Sequence, residues 1–336
     1  MTDFTRTEAR AWARRRLNGV ANVSIPTMTA DFKRLNEDAI RHDIEQSIQH
    51  GFVGSLACSE VAITLEEYKR FCEVAVSQAA GRLFIVHHAV FNTLEDNIEA
   101  AQAAERAGVE LMLLGYPPYF FPQSLDEVYA YTKALCDATN MAVMLFPIPT
   151  WGFSRLHPSD LPLPMLRRLI DECPNVVAIK AEGGAPHIMA AIEVHRAFHE
   201  EVVISSPIEH EYVALSQIIP LPFCGTNFSA YYGPWLPRVH ALVQAGEYAQ
   251  ATEIFYKLDP ARKAFYGVAN AGAGLINRMM WKYQSWLQGY NGGPLRHPTG
   301  RVYQRDMTLL RKGQEAAGLN PTSDPDTAFF TGRNPR

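Results

Sequence analysis

The sequence predicts an α/β protein of (β/α)8 TIM-barrel architecture with a C-terminal helical extension. Three observations carry that expectation. Eight short apolar runs each precede a segment of helical pattern. The runs are continuously apolar and do not alternate with polar residues, which is what burial on both faces of a parallel sheet produces. They fall within about 240 residues, the span that eight strand–helix units fill. A doubly wound open sheet is the alternative, but no G-x-G-x-x-G follows the first run, which weakens a dinucleotide-binding version.

Residues 1–19 read as a helical lead-in, with "ARAWARRRL" as a basic amphipathic surface helix. The barrel is expected over 20–246. "VANVSIP" (20–26) is the first strand, and "NEDAIRHDIEQSIQHG" is the helix that follows it and ends on Gly51. "FVGSLA" (52–57) precedes "TLEEYKRFCEVAVSQAAG", and "RLFIVHH" (82–88) precedes "NTLEDNIEAAQAAERAG", where Asn92 or Thr93 can cap the helix and Gly108 can end it. "VELMLLG" (109–115), "MAVMLFP" (141–147), "NVVAIKA" (175–181), "EVVISS" (201–206) and "LPFCGT" (221–226) complete the strands, each with a helical segment after it. Residues 247–318 read as further helices, and 319–336, rich in Pro, Asp, Thr and Asn, as a loop-like tail.

Composition narrows the function classes. The chain has 336 residues, 47% of them hydrophobic, and a formal net charge of −4. Phosphate-backbone binding needs a basic cluster with interleaved aromatics, and none is present, so no nucleic-acid partner is expected. No apolar run reaches the ~18 residues that span a bilayer, and the N-terminus lacks the apolar core of a signal peptide. The five cysteines lie far apart with no C-x-x-C pair. That pattern suits reduced thiols in a cytoplasmic protein and neither a zinc site nor a disulfide framework.

In a barrel of this class chemistry gathers at the C-terminal strand ends. Those ends offer Cys58, Ser59 and Glu60; His87 and His88; Tyr116 and Tyr119; Phe146; Lys180 and Glu182; Ser205 and Ser206; and Thr226 and Asn227. Lys180 stands out, because an apolar run carries the chain straight into an amine. A desolvated amine loses part of its proton affinity and becomes a nucleophile toward carbonyl groups. The alternative reading is a lysine paired with a carboxylate such as Glu60 or Glu182, or one that snorkels to solvent. Position alone divides the two evenly.

The order of several motifs then resembles the dihydrodipicolinate synthase / N-acetylneuraminate lyase family of class I aldolases, over about residues 20–298. "AIK" (178–180) resembles the G-I-K that carries the family's Schiff-base lysine. "GFVGSLACSEVAITLEEYKR" resembles the G-T-T-G-E segment and the T-L-x-x-E helix start after it. "PPYFFPQSLDEVYAYTKAL" resembles the P-Y-Y-x-x-P segment, and "GGPLRHP" (292–298) the terminal G-x-x-R-x-P. The resemblance implies a covalent imine on Lys180, no other cofactor, no metal, a small carbonyl substrate, and a homo-oligomer, dimer or tetramer. Two departures bear on activity. Phe146 stands where the family's proton-relaying tyrosine is, and Ala57 and Cys58 stand where two threonines hold a 2-oxo acid carboxylate.

The expected activity is therefore a Schiff-base lyase or aldolase acting on a small 2-oxo acid or related carbonyl compound, with a pocket diverged from pyruvate aldolases. Lys180 is the nucleophile, and Tyr119, from its own chain or across a subunit interface, stands in the relay. Cys58, Ser59, Glu60, His88, Tyr116, Ser206 and Asn227 contact substrate. A dehydratase or hydratase-aldolase using the same imine, and a barrel that only binds a carbonyl metabolite, are the alternatives.

Overall fold

A computed structural model describes residues 2–182, 187–206, 208–225, 228–273, 276–297, 299 and 301–336. Eight parallel strands close into a barrel in sequence order. They are β1 (Gly19–Ser24), β2 (Gly54–Cys58), β3 (Phe84–His88), β4 (Leu111–Leu113), β5 (Ala142–Leu145), β6 (Val176–Lys180), β7 (Val203–Ser205) and β8 (Phe223–Cys224). Each overlaps one expected apolar run. Every residue of β2, β3 and β6 is buried, so the unbroken apolar runs report burial on both faces. Proline lacks the N–H that a ladder needs, and the pairing of β1 and of β5 stops short of Pro26 and Pro147.

The chain divides into two compact units, Met1–Val20 with Phe84–Gly225, and Ala21–Leu83 with Thr226–Arg336. In both, helix starts are set by local chemistry. Asn36, Thr64, Thr93 and Ser124 each accept a hydrogen bond from a backbone N–H of the first helical turn. Thr93, not Asn92, is the cap of Leu94–Ala107, and Gly108 closes that helix at φ 99°, a conformation with no steric cost for glycine.

In the first unit the N-terminal helix Ala9–Arg16 is amphipathic, with Ala9, Trp12 and Ala13 buried and Arg14, Arg15 and Arg16 exposed. Trp12 is buried against Phe84, with ring centroids 6.2 Å apart, and its indole N–H donates to Glu110 Oε1 at 3.1 Å. Arg10 donates to the carbonyl of Val176 at 3.1 Å and to that of Ile170. Arg10 thus binds one carbonyl at the start of β6 and one in the last turn of the helix Leu163–Glu172 before it, which the charge pattern alone did not reveal.

The second unit buries a charged pair of its own. Lys282, in the helix Arg278–Leu287, is 2% exposed, and its ammonium donates to the carbonyl of Pro26 at 2.8 Å and to Thr27 Oγ1 at 2.5 Å. These bonds fix the segment that leaves β1. Burial pulls Lys282 from 10.5 down to about 7, opposed by the charge of Asp43. Burial also pushes Asp43 from 3.8 up to about 6, opposed by Lys282 and by the N–H of Asn291. Residues 319–336 pack on the same unit. Phe329 is fully buried in the short turn Asp326–Phe330, and Asn334 N–H donates to Asn291 Oδ1 at 2.9 Å.

The pair gives stability a defined pH dependence. Between 3.8 and about 6 the folded state holds the proton on Asp43 that the unfolded chain has lost, so stability falls as pH rises. Between about 7 and 10.5 the unfolded chain holds the proton that folded Lys282 has lost, so stability rises. Urea unfolding of the wild type should therefore show a trough between those windows, each flank changing by up to about 1.4 kcal/mol per pH unit. The double variant Asp43→Asn/Lys282→Met should lose it; a wild-type-minus-variant difference that is flat with pH would refute this origin.

Candidate active site

Lys180 is the last residue of β6 and is 3% exposed. Its register partner is Ser205 on β7. Glu182, two residues on, emerges on the same side as Lys180, as the two-residue period of extended chain dictates. Its backbone N–H is held by the carbonyl of Pro147 at 3.0 Å. The carboxylate meets the amine directly, with Oε1 2.6 Å from Nζ, and both side chains are almost wholly buried. Of the two readings of this lysine, pairing with Glu182 is the one realised in the resting structure. The ring of Phe146 lies 4.5 Å from the same nitrogen. An aromatic face at that distance steadies an ammonium by about 0.5–2 kcal/mol.

An aromatic wall continues from Phe146. Trp151 donates its indole N–H to the carbonyl of Phe146 at 2.9 Å and stands edge-on to that ring, with centroids 6.0 Å apart. His88, closing β3, lies 6.4 Å from Trp151. The imidazole sits against Gly115, where a Cβ would come within 2.7 Å of Cε1, so a side chain there would displace the ring. Nδ1 of His88 is 2.9 Å from the carbonyl of Leu113. A carbonyl only accepts, so Nδ1 carries the proton. Burial, reinforced by the positive charge of Lys180, pulls His88 down to about 4, and it is neutral near pH 7 with Nε2 unprotonated. Burial lowers His87 further, to about 3.

The second unit carries the Cys58–Glu60 segment. Cys58 ends β2 fully buried, and burial pushes its thiol up, which leaves it protonated and removes it as a nucleophile. Its Sγ is 3.9 Å from Glu60 Oε2. Glu60 forms an ion pair with Arg278, and Ser59 is buried beside it in the chain. Arg278 was not anticipated; an arginine within a helical segment offers no sequence signal of burial.

The hydroxyl of Tyr116 is buried and engaged with Thr132 Oγ1 at 2.7 Å, and burial raises its pKa, so it serves the packing of the helix Leu125–Asp137. Tyr119 is 84% exposed, so within one chain its hydroxyl faces solvent. Ser206 is buried, its Oγ 3.4 Å from the carbonyl of Ile208. Asn227 lies outside the described residues. Among the described residues no group of three or more His, Cys, Asp or Glu side chains is placed to hold a metal ion, and no helix is long and apolar enough to cross a membrane.

Comparison with known proteins places this geometry. A model of the dihydrodipicolinate synthetase family matches residues 24–275. A DapA-like lyase of Pyrobaculum neutrophilum is 24% identical over 321 residues, covering 90% of this chain and 99% of its own length. A probable 5-dehydro-4-deoxyglucarate dehydratase of Pseudomonas fluorescens is 25% identical, covering 75% of this chain and 80% of that protein. The crystal structure of dihydrodipicolinate synthase from Aquifex aeolicus shares the fold, with a TM-score of 0.76 and 18% identity over 91% of this chain and all of that one. With the family model spanning three-quarters of its length over a closed parallel barrel, the chain belongs to the dihydrodipicolinate synthetase family of lyase-type enzymes.

Proposed function

We propose that the protein is a Schiff-base lyase in which Lys180 attacks the carbonyl of a small 2-oxo acid or related compound, and in which Glu182 moves the protons. The observation that carries this reading is the buried contact of 2.6 Å between Lys180 Nζ and Glu182 Oε1. The ammonium is not itself a nucleophile. Passing one proton to Glu182 converts the ion pair into a neutral amine and a neutral carboxylic acid. The transfer runs over the single direct contact between the two side chains.

The amine then adds to the carbonyl carbon. Glu182 returns the proton to the carbinolamine oxygen, water leaves, and the protonated imine remains on Lys180 as the electron sink. No separate cofactor is needed for that step. Cleavage or deprotonation at the adjacent carbon follows, with neutral His88 as a second acceptor. Glu182 thereby stands in for the tyrosine whose place Phe146 occupies. Dehydration through the same imine is the second reading, favoured by the relative named as a dehydratase. A second copy of the chain covering the exposed Tyr119 and Phe121 is the expected assembly.

Borohydride trapping tests the imine. After incubation with pyruvate and a panel of 2-oxo acids, peptide mapping should find the reduced adduct on Lys180 and none in Lys180→Ala. No adduct with any carbonyl compound would leave the binding-only reading standing. Glu182→Gln should lower the trapping rate and kcat by about 10²- to 10⁴-fold, the worth of a positioned acid–base group, with KM changing far less. An unaltered kcat would remove Glu182 from the mechanism. Phe146→Tyr should raise residual pyruvate-aldol activity; no change would mean that the hydroxyl is not what limits it.

A further inference from the structure

One buried cation meets one buried anion at the end of β6, where Lys180 Nζ and Glu182 Oε1 touch at 2.6 Å. Neither side chain has a second ionic partner among the described residues. The groups around them bring no further charge. Phe146 turns its ring to the amine at 4.5 Å, and Trp151 stands edge-on to that ring. His88 is kept neutral by burial and then by the positive charge of Lys180. Ser205, the register partner of Lys180, is an uncharged hydroxyl that donates to the carbonyl of Ser206 at 3.2 Å and accepts from Gly225 N–H at 3.1 Å. Residues 183–186, next along the chain, are Gly, Gly, Ala and Pro. The pair is balanced before any substrate arrives.

Imine formation keeps that balance. The carbonyl oxygen leaves as water, and the protonated imine holds its positive charge on the nitrogen that Glu182 already faces. A carboxylate beside the reacting carbonyl would be a second anion sharing one cation. Stripping a carboxylate of water is offset only by a close partner of opposite charge, and here that partner is taken. At an effective dielectric of about 20, two carboxylates roughly 5 Å apart weaken binding by about two orders of magnitude. The face of Phe146 acts in the same direction, since it attracts a cation and repels an anion. Resting on the imine at Lys180, we propose that the preferred substrate is an aldehyde or ketone with no carboxylate next to its carbonyl, and that Glu182 sets this preference as the counter-ion of the iminium.

Pyruvate and pyruvamide test the proposal, because they share shape and carbonyl and differ in charge. Each is incubated with the full chain, borohydride delivers hydride to the iminium carbon, and peptide mapping quantifies the secondary amine left on Lys180. Free Nα-acetyllysine under the same conditions gives the intrinsic reactivity of each compound. Wild type should favour pyruvamide by at least about tenfold beyond the free-amine ratio. Glu182→Gln slows both reactions, and the ratio cancels that common loss; it should move toward pyruvate by about tenfold or more as the repulsion is relieved. The wild-type ratio carries the test if the variant does not fold. A wild-type ratio no higher than that of the free amine, or one that Glu182→Gln leaves unchanged, would overturn this substrate class while leaving the imine in place. No adduct on Lys180 with either compound would instead overturn the imine, and this inference with it.

Discussion

The contact between Lys180 and Glu182 is the constraint around which its neighbourhood is organised. Two opposite charges at a buried strand end cost several kcal/mol each in lost hydration. That cost is offset only if they meet at hydrogen-bond distance, and the 2.6 Å separation meets the condition. The surroundings then have to avoid further charge. β6 brings four aliphatic residues to the site before the lysine, Phe146 presents an aromatic face, and His88 is held neutral by its own burial. A charged imidazole there would repel the ammonium.

Phe146 alters what this site can do without emptying it. A phenol at that position would accept and return protons. A benzene ring keeps the volume and the quadrupole that steadies a cation, and gives up the proton traffic. The carboxylate two residues beyond Lys180 sits in direct contact with the nitrogen, and on the proposed mechanism it takes over that traffic over a single hydrogen bond. The substitution at one strand end and the acidic residue at another are consistent with one exchange of roles.

The strands were legible because burial on both faces leaves a signature in composition alone. Lys180 was legible for the related reason that an amine interrupts such a run. Its partner was not, since Glu60 and Glu182 were equally plausible until tertiary contacts assigned Glu60 to Arg278 and Glu182 to Lys180. Tyr116 reads as a ligand contact from its strand-end place, and its hydroxyl is engaged by a threonine sixteen positions on, a pairing that no local pattern announces. Lys282 and Arg278 escaped notice because charged residues in helices usually face water. Here their burial depends on partners from distant segments, Thr27 and Glu60.

Both compact units are assembled from pieces that are far apart in the chain. Arg10 binds a carbonyl 166 residues away, and Lys282 binds a hydroxyl 255 residues away. A chain emerging from the ribosome therefore carries its first helix with the apolar face of Trp12 uncovered until Phe84 and Glu110 have been made, and with Arg10 lacking its carbonyl until β6. The stretch containing β2 waits longer still, for helices near the end. Such late closure lengthens the time that sticky surface is exposed during synthesis. Solubility during production should accordingly be governed by translation speed and chaperone supply more than by the stability of the finished fold.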